Sequence, residues 1–117
     1  MAINKVYDEG DELSLVCTDP ASPTSGAPVL VGQIPGVAIA DKRTDNTTSV
    51  DTEGVYNLSV AGINGSGNVA VAAGDLIYYV VGDTPVLSKK ATGVRFGYAL
   101  AAITSGATAT IPVKLGY

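Results

Sequence analysis

Residues 108–115 read TATIPVKL and carry the clearest strand pattern of the chain. Successive residues of a strand point to opposite sides, so strict alternation of apolar and other residues predicts a half-buried strand. The apolar face consists of Ala109, Ile111, Val113 and Leu115. Pro112 has no N–H to donate, which predicts either an edge strand or a position that is turned outward.

Three other segments, 12–17, 55–60 and 94–100, alternate in the same way and end in residues typical of turns. The side chains expected to face inward are Leu13, Leu15 and Cys17 in the first segment, Tyr56, Leu58 and Val60 in the second, and Val94, Phe96, Tyr98 and Leu100 in the third.

Residues 76–81, LIYYVV, form an apolar run between the Gly-Asp pairs at 74–75 and 82–83. Both faces of this run are apolar, which predicts a strand covered on both sides. One face holds Leu76, Tyr78 and Val80, and the other holds Ile77, Tyr79 and Val81. The second cover is either a partner subunit or the rest of the same domain. The flanking Gly-Asp pairs favour hairpin turns.

Loops or hairpin ends are predicted at residues 20–28, 41–54 and 63–68, where Pro, Gly, Ser, Asn and other polar residues cluster. A chain of 117 residues fits one domain. The prediction is therefore an all-β protein: a single small β-barrel or β-sandwich-like domain of short antiparallel strands over residues 1–117, with an extended N-terminal arm at 1–7.

Composition limits the function. Seven basic and eleven acidic residues give a net charge of −4, which opposes binding to nucleic acid. The chain has no His and one Cys, so it lacks the usual ligands for zinc, and Cys17 is expected to be a buried thiol. The printed sequence contains neither a signal-peptide pattern nor a membrane span, and a soluble protein made in a cytoplasm is expected.

Catalytic patterns are weak. Ser88 beside Lys89 or Lys90 would be a Ser-Lys arrangement, but adjacent strand residues point apart, and a solvated loop is favoured. An acidic cluster, formed by Asp8, Glu9, Asp11 and Glu12, offers carboxylates for calcium or for hydrolysis. Its spacing fits no ion-binding loop, so a solvated turn is favoured. No catalytic site, metal or cofactor is expected.

The order of five segments resembles the small phage proteins known as capsid cement or decoration proteins. They read GDELSLV (10–16), PGVAIAD (35–41), EGVYNLSV (53–60), AAGDLIYYV (72–80) and FGYALAAITSGATATIPVKL (96–115). The resemblance implies an all-β protein on the outer surface of an expanded phage head, made in the cytoplasm of the bacterial host. It implies the major capsid protein as the partner, together with a homo-oligomer, for which a trimer is preferred to a dimer.

Two other classes of function remain open. A carbohydrate-binding or host-adhesion module would also be a small β protein, although such sites usually present exposed aromatic rings, and this chain has no Trp. A hydrolase would depend on a carboxylate of the acidic cluster at 8–12.

The capsid or oligomer contact is expected at two places. Residues 1–7, MAINKVY, precede the acidic cluster and contain no Gly or Pro, so an extended arm is predicted to add to a neighbouring sheet edge through Ala2, Ile3, Asn4 and Lys5. The alternative is a first strand that pairs inside its own domain. Tyr79 and Val81 of the doubly apolar run are the second expected contact.

Overall fold

A computed structural model describes residues 12–115 as eleven β-strands joined by turns, and no helix occurs in this range. The strands are β1 (Glu12–Leu15), β2 (Pro28–Val31), β3 (Ile34–Ala38), β4 (Thr48–Asp51), β5 (Val55–Ala61), β6 (Ile63–Asn64), β7 (Gly67–Asn68), β8 (Leu76–Tyr79), β9 (Leu87–Ser88), β10 (Val94–Ala99) and β11 (Thr108–Leu115). The predicted all-β class is confirmed.

Five strands form a closed barrel in the order β10-β11-β5-β9-β8. The longest ladder joins β11 to β5 over seven residue pairs, from Thr108↔Ala61 to Lys114↔Val55. Neighbouring strands of the barrel are antiparallel except β5 and β9, which pair in parallel through Val60↔Leu87 and Ala61↔Ser88. Because β9 has only two residues, it closes the barrel over a short part of β5.

The other large sheet has four antiparallel strands in the order β1-β4-β3-β2. The chain beyond β1 forms an isolated bridge from Asp19 to Leu30 of β2. The segment 12–19 therefore touches both edges of this sheet, and the sheet curls around a small core of Val29, Ala38 and Val50, with Cys17 packed against it. The thiol of Cys17 is half-buried, and burial raises its pKa.

A larger core joins the barrel to the four-stranded sheet. Leu30 and Val37 of the sheet belong to the same buried cluster as the inward residues of the barrel, among them Phe96, Leu87 and Ile77. The two sheets consequently pack through one shared apolar core.

Two tyrosine hydroxyls connect the same parts of the molecule. The Tyr79 hydroxyl, on β8, donates a hydrogen bond to the carboxylate of Asp19. The Tyr56 hydroxyl, on β5, donates to Asp51 of β4 at 2.5 Å. Each bond joins a barrel strand to the four-stranded sheet or to the chain that follows β1.

The strand predicted over residues 108–115 is present as β11, with Ile111, Val113 and Leu115 buried. Ala109 differs from the prediction because the first three residues of β11 are exposed. Of the two alternatives for Pro112, the edge strand is wrong, since β11 pairs with β5 and β10, whereas Pro112 does lie on the opposite face from the buried Ile111 and Val113. Pro112 is tolerated in this central strand because it lies opposite Leu100, immediately after β10 ends, so the one bond that its missing N–H would donate falls at the end of the ladder.

The predicted face of β10 is correct at Phe96 and wrong beyond it. The register of β10 against β8 shifts between Arg95 and Gly97, as a β-bulge requires. One extra residue reverses the alternation that follows, so Ala99 is fully buried, Leu100 is 44 % exposed and Tyr98 lies half-buried on the outer face.

The remaining segments agree in part with the predictions. Leu58 and Val60 of β5 are buried, and Tyr56 is half-buried on the same side. The polar run 41–54, predicted as a loop, contains β4. Residues 63–68, predicted as a loop or a hairpin end, form the small hairpin of β6 and β7.

Candidate contact surface

The connection between β8 and β9 carries an exposed valine. β8 ends at Tyr79, and the chain then turns, with Asp83 N donating to Val80 O (3.2 Å) and Val80 N donating to Val86 O (2.8 Å). Gly82 adopts a φ of 92°, which a side chain would strain. Val81 is 61 % exposed at this turn, so it can contact a partner.

An open groove lies next to this turn, at the junction of the barrel and the four-stranded sheet. It has a volume of about 280 Å³ and a mostly apolar surface, and it is lined by Pro28, Ser59, Asp83, Thr84, Pro85 and Val86. We call it the junction groove. Asp83, its one charged lining residue, forms an ion pair with Lys90 at 2.8 Å.

The side of β5 that faces away from β11 meets β9 at one end of the strand. β9 pairs with β5 at Val60 and Ala61, whereas within residues 12–115 the part of β5 from Val55 to Ser59 is in register with β11 alone. The backbone of Asn57 in this part is directed away from β11. Its partner in the ladder, Pro112, accepts a hydrogen bond from Leu100 N (3.0 Å) on the side of β10. In an antiparallel pair whose residues do not bond to each other, the backbone N–H and C=O groups of both residues point away from the pair.

Tyr79, expected as a contact residue, lies in the core. It is 2 % exposed, its ring is 6.2 Å from that of Phe96, and its hydroxyl is bound to Asp19. Burial, together with the hydrogen bond and the charge of Asp19, raises the pKa of Tyr79. Its inward position follows from the alternation of β8, in which Ile77 and Tyr79 face the core. Tyr79 therefore presents no surface to a partner.

The other expected contacts, Ala2, Ile3, Asn4 and Lys5, lie outside the described residues. The same holds for Asp8, Glu9 and Asp11 of the acidic cluster, whereas Glu12 is the first residue of β1. Within residues 12–115, no three acidic or Cys side chains come together as a metal site would require. In the same range, no helix is long and apolar enough to cross a membrane.

Ser88, Lys89 and Lys90 are placed at the end of β9. Ser88 is fully buried, and its hydroxyl accepts a hydrogen bond from the backbone N–H of Lys90 at 3.3 Å. Lys89 forms an ion pair with Asp75 at 2.9 Å, and Lys90 pairs with Asp83. Both ammonium groups are thus engaged by carboxylates, and the one hydrogen bond described for the Ser88 hydroxyl comes from a backbone N–H and not from a lysine side chain.

Sequence reasoning missed one outward feature, the pair Arg95 and Tyr98 on β10. The Arg95 guanidinium donates to the Tyr98 hydroxyl at 2.7 Å and lies 5.9 Å from the centre of the ring. Tyr98 reaches the outer face only because of the bulge, and a strict two-residue alternation places it inward. Gly97 is the one local signal, since glycine inside a strand often marks a bulge.

A comparison with protein families assigns almost the whole chain. The profile of the phage cement protein family matches residues 7–115, which include all eleven strands. No curated protein matches the chain. No solved structure matches it either. The match spans the barrel, the four-stranded sheet and the junction groove between them, so the chain belongs to the phage cement protein family, whose role is structural and associated with the phage capsid.

Proposed function

We propose that this protein binds the outer surface of an expanded phage head and stabilises contacts between major capsid protein subunits. The match to the phage cement protein family over residues 7–115 carries this proposal. A net charge of −4 fits an outer position, because the packaged genome is also negative and the long-range repulsion keeps the protein away from it.

Cementing depends on many modest contacts. A small interface, repeated over a lattice and joined through an oligomer, gives strong attachment through effective concentration. Binding to the expanded lattice and not to its precursor stabilises the expanded state by mass action. This role requires no catalytic group.

The exposed turn at Val81 and the adjacent junction groove are the proposed contact surface. Their apolar character favours burial against a partner, since the free energy gained follows the apolar area removed from water. The protein acts as a homo-oligomer, with a trimer preferred to a dimer, and Ala2–Lys5 becomes fixed against the major capsid protein or a neighbouring copy.

The experiment compares two valines of nearly equal exposure, Val81 at 61 % and Val16 at 60 %. The variants Val81→Asp and Val16→Asp are mixed with expanded heads and with precursor heads, and bound protein is quantified after sedimentation. We expect wild type and Val16→Asp to bind expanded heads and not precursor heads. We expect Val81→Asp to bind expanded heads at least tenfold more weakly than wild type does. Equal binding of both variants would remove Val81 from the contact surface, and no binding of the wild type would refute the function.

The arm and the oligomer are tested separately. Deletion of residues 2–5 is expected to leave the thermal transition almost unchanged and to weaken binding to heads severely. A truncated protein that decorates heads as well as the full chain contradicts the role of the arm. Light scattering at high concentration, together with the arrangement of copies on decorated heads, tests the oligomer. A monomer in solution and single, isolated copies on the heads would together contradict it.

A further inference from the structure

We infer that the hairpin of β6 and β7 contains a site of spontaneous modification, at which the side-chain amide of Asn64 is converted to a carboxylate in the folded protein. The reaction uses water and needs no second protein. It goes beyond the proposed function and does not rest on it, because the hairpin does not line the junction groove.

The residue that follows each asparagine decides which of them can react. Asn64 is followed by Gly65, and this is the one Asn-Gly pair in the printed sequence. The nucleophile in this reaction is the backbone nitrogen of the following residue, and a glycine there has no side chain to hinder its approach to the amide. The other asparagines precede Lys, Thr, Leu or Val, whose side chains crowd that approach. Asn64 is therefore expected to react first.

The turn of the hairpin folds the Asn64 side chain over the next peptide. Asn64 pairs with Gly67 at the end of the hairpin, and Gly65 and Ser66 lie between them as a two-residue loop. Oδ1 of Asn64 accepts a hydrogen bond from the Ser66 N–H at 2.9 Å. An asparagine that bonds to the backbone two residues further on lies across the intervening peptide. The amide carbon is thus held beside the Gly65 nitrogen that attacks it.

The hydrogen bond from Ser66 also assists the chemistry. Attack of the Gly65 nitrogen on Cγ of Asn64 moves negative charge onto Oδ1, and a donor already aimed at that oxygen stabilises the charge that develops there. The new C–N bond closes a five-membered imide, the bond from Cγ to Nδ2 breaks, and ammonia leaves with the proton of the Gly65 N–H. Water then opens the imide at either carbonyl and leaves aspartate or isoaspartate at position 64.

The loop has room for the ring to close. Gly65 and Ser66 are exposed, and Asn64 is half-buried. A Cβ placed on Gly65 would meet no described atom within 4 Å apart from its own chain neighbours. The loop can therefore change its backbone angles without a collision.

Asn68 provides a matched comparison within the same hairpin. It is exposed, as the loop is, but it precedes Val69, which is branched at Cβ. Its side chain lies beside Gly106, where a Cβ would come within 2.7 Å of Nδ2. Asn68 is therefore expected to react slowly although water reaches it.

The effect of the reaction is confined to the end of the hairpin. Each conversion adds one negative charge, and isoaspartate also adds a methylene to the main chain, which disrupts the pair Asn64↔Gly67. Ile63, the residue before Asn64, accepts a backbone hydrogen bond from Lys89 N at 3.0 Å, which fixes the base of the hairpin to the chain after β9. The modified protein is therefore expected to keep its fold.

The test incubates the folded protein at pH 8.5 and follows the mass increase of about 1 Da in each asparagine peptide by mass spectrometry, with fragmentation that distinguishes isoaspartate from aspartate. We expect Asn64 to be converted at least tenfold faster than Asn68. The matched variant Gly65→Ala is expected to slow the conversion at least fivefold. It keeps the fold, because its Cβ meets nothing within 4 Å and the φ of Gly65 is not positive.

The contribution of the turn is measured against the chain unfolded in guanidinium chloride at the same pH. We expect Asn64 in the folded protein to react at no less than a third of the unfolded rate, and a lower rate would show that the fold holds the amide away from the nitrogen. Equal rates at Asn64 and Asn68, or an unchanged rate in Gly65→Ala, would also overturn the inference. Decoration of heads is measured separately, so a protein that converts Asn64 and fails to bind heads would count against the proposed function alone.

Discussion

Replacement of Tyr79→Phe tests whether the hydroxyl that joins the barrel to the chain after β1 stabilises the fold. The substitution keeps the buried ring against Phe96 and removes the hydrogen bond to Asp19, which lies 60 positions away from Tyr79 in the sequence. The free energy of unfolding is therefore expected to change through one polar contact and not through packing.

The expected loss is about 2 kcal/mol. A hydrogen bond to a charged group contributes about 1.5–3 kcal/mol, and the lower half of that range applies because Asp19 is half-buried and keeps some access to water. The control Tyr98→Phe removes a hydroxyl that bonds to the exposed Arg95 on the outer face, and it is expected to cost less than about 0.5 kcal/mol.

Urea unfolding followed by circular dichroism measures both variants. A loss of about 2 kcal/mol lowers the midpoint by roughly 1 M with an unchanged m-value. A double-mutant cycle with Asp19→Asn isolates the pair and is expected to give a coupling of about 1–2 kcal/mol. A coupling below about 0.5 kcal/mol, or equal losses for Tyr79→Phe and Tyr98→Phe, would refute the reasoning.

The pH dependence gives a second check on the same bond. The folded-state pKa of Tyr79 is raised, chiefly by burial and also by Asp19, whereas an unfolded tyrosine ionises near pH 10. The stability that the neutral hydroxyl contributes is therefore complete below pH 10 and is lost as the pH rises above it. The difference between wild type and Tyr79→Phe is expected to shrink by about 1.4 kcal/mol at pH 11. A constant difference from pH 8 to 11 contradicts the raised pKa.

Three further predictions concern packing, the thiol and attachment. Gly97→Ala is expected to destabilise the protein by about 2–3 kcal/mol in thermal unfolding, because a Cβ there collides with the backbone carbonyl of Lys114. The control Gly65→Ala, whose Cβ meets nothing within 4 Å, is expected to change stability by less than about 0.5 kcal/mol. Equal effects of the two substitutions would contradict the close approach at Gly97. Cys17 is expected to react with iodoacetamide at least tenfold more slowly in folded protein at pH 8 than in urea, since burial raises the pKa of its thiol, and equal rates would show an accessible thiolate. Binding to expanded heads is expected to change less than twofold between pH 5 and 8, because the chain has no His, and a steep loss between pH 7 and 6 would disprove this as a property of the chain.

The position of the candidate site was only partly predictable from the sequence. Val81 was expected as a contact and is exposed, because the Gly82-Asp83 pair marks the turn that carries it. Tyr79 was assigned to the same surface but is buried, since a run that is apolar on both faces does not reveal which face meets the core. The junction groove had no sequence signal, because its lining residues come from positions 28, 59 and 83–86.

Local alternation determined the all-β class and the faces of the strands that remain regular. Ile111, Val113 and Leu115 of β11 and Leu58 and Val60 of β5 are buried as their two-residue period predicts, because that period is a property of each extended segment alone. The tertiary structure decided what depends on partners that are distant in the sequence. The bulge between Arg95 and Gly97, the parallel pairing of β5 with β9 and the bond from Tyr79 to Asp19 all follow from closure of the barrel against the four-stranded sheet. Closure selects among registers that are locally equivalent, and its free energy comes from contacts between segments that no short stretch of sequence contains.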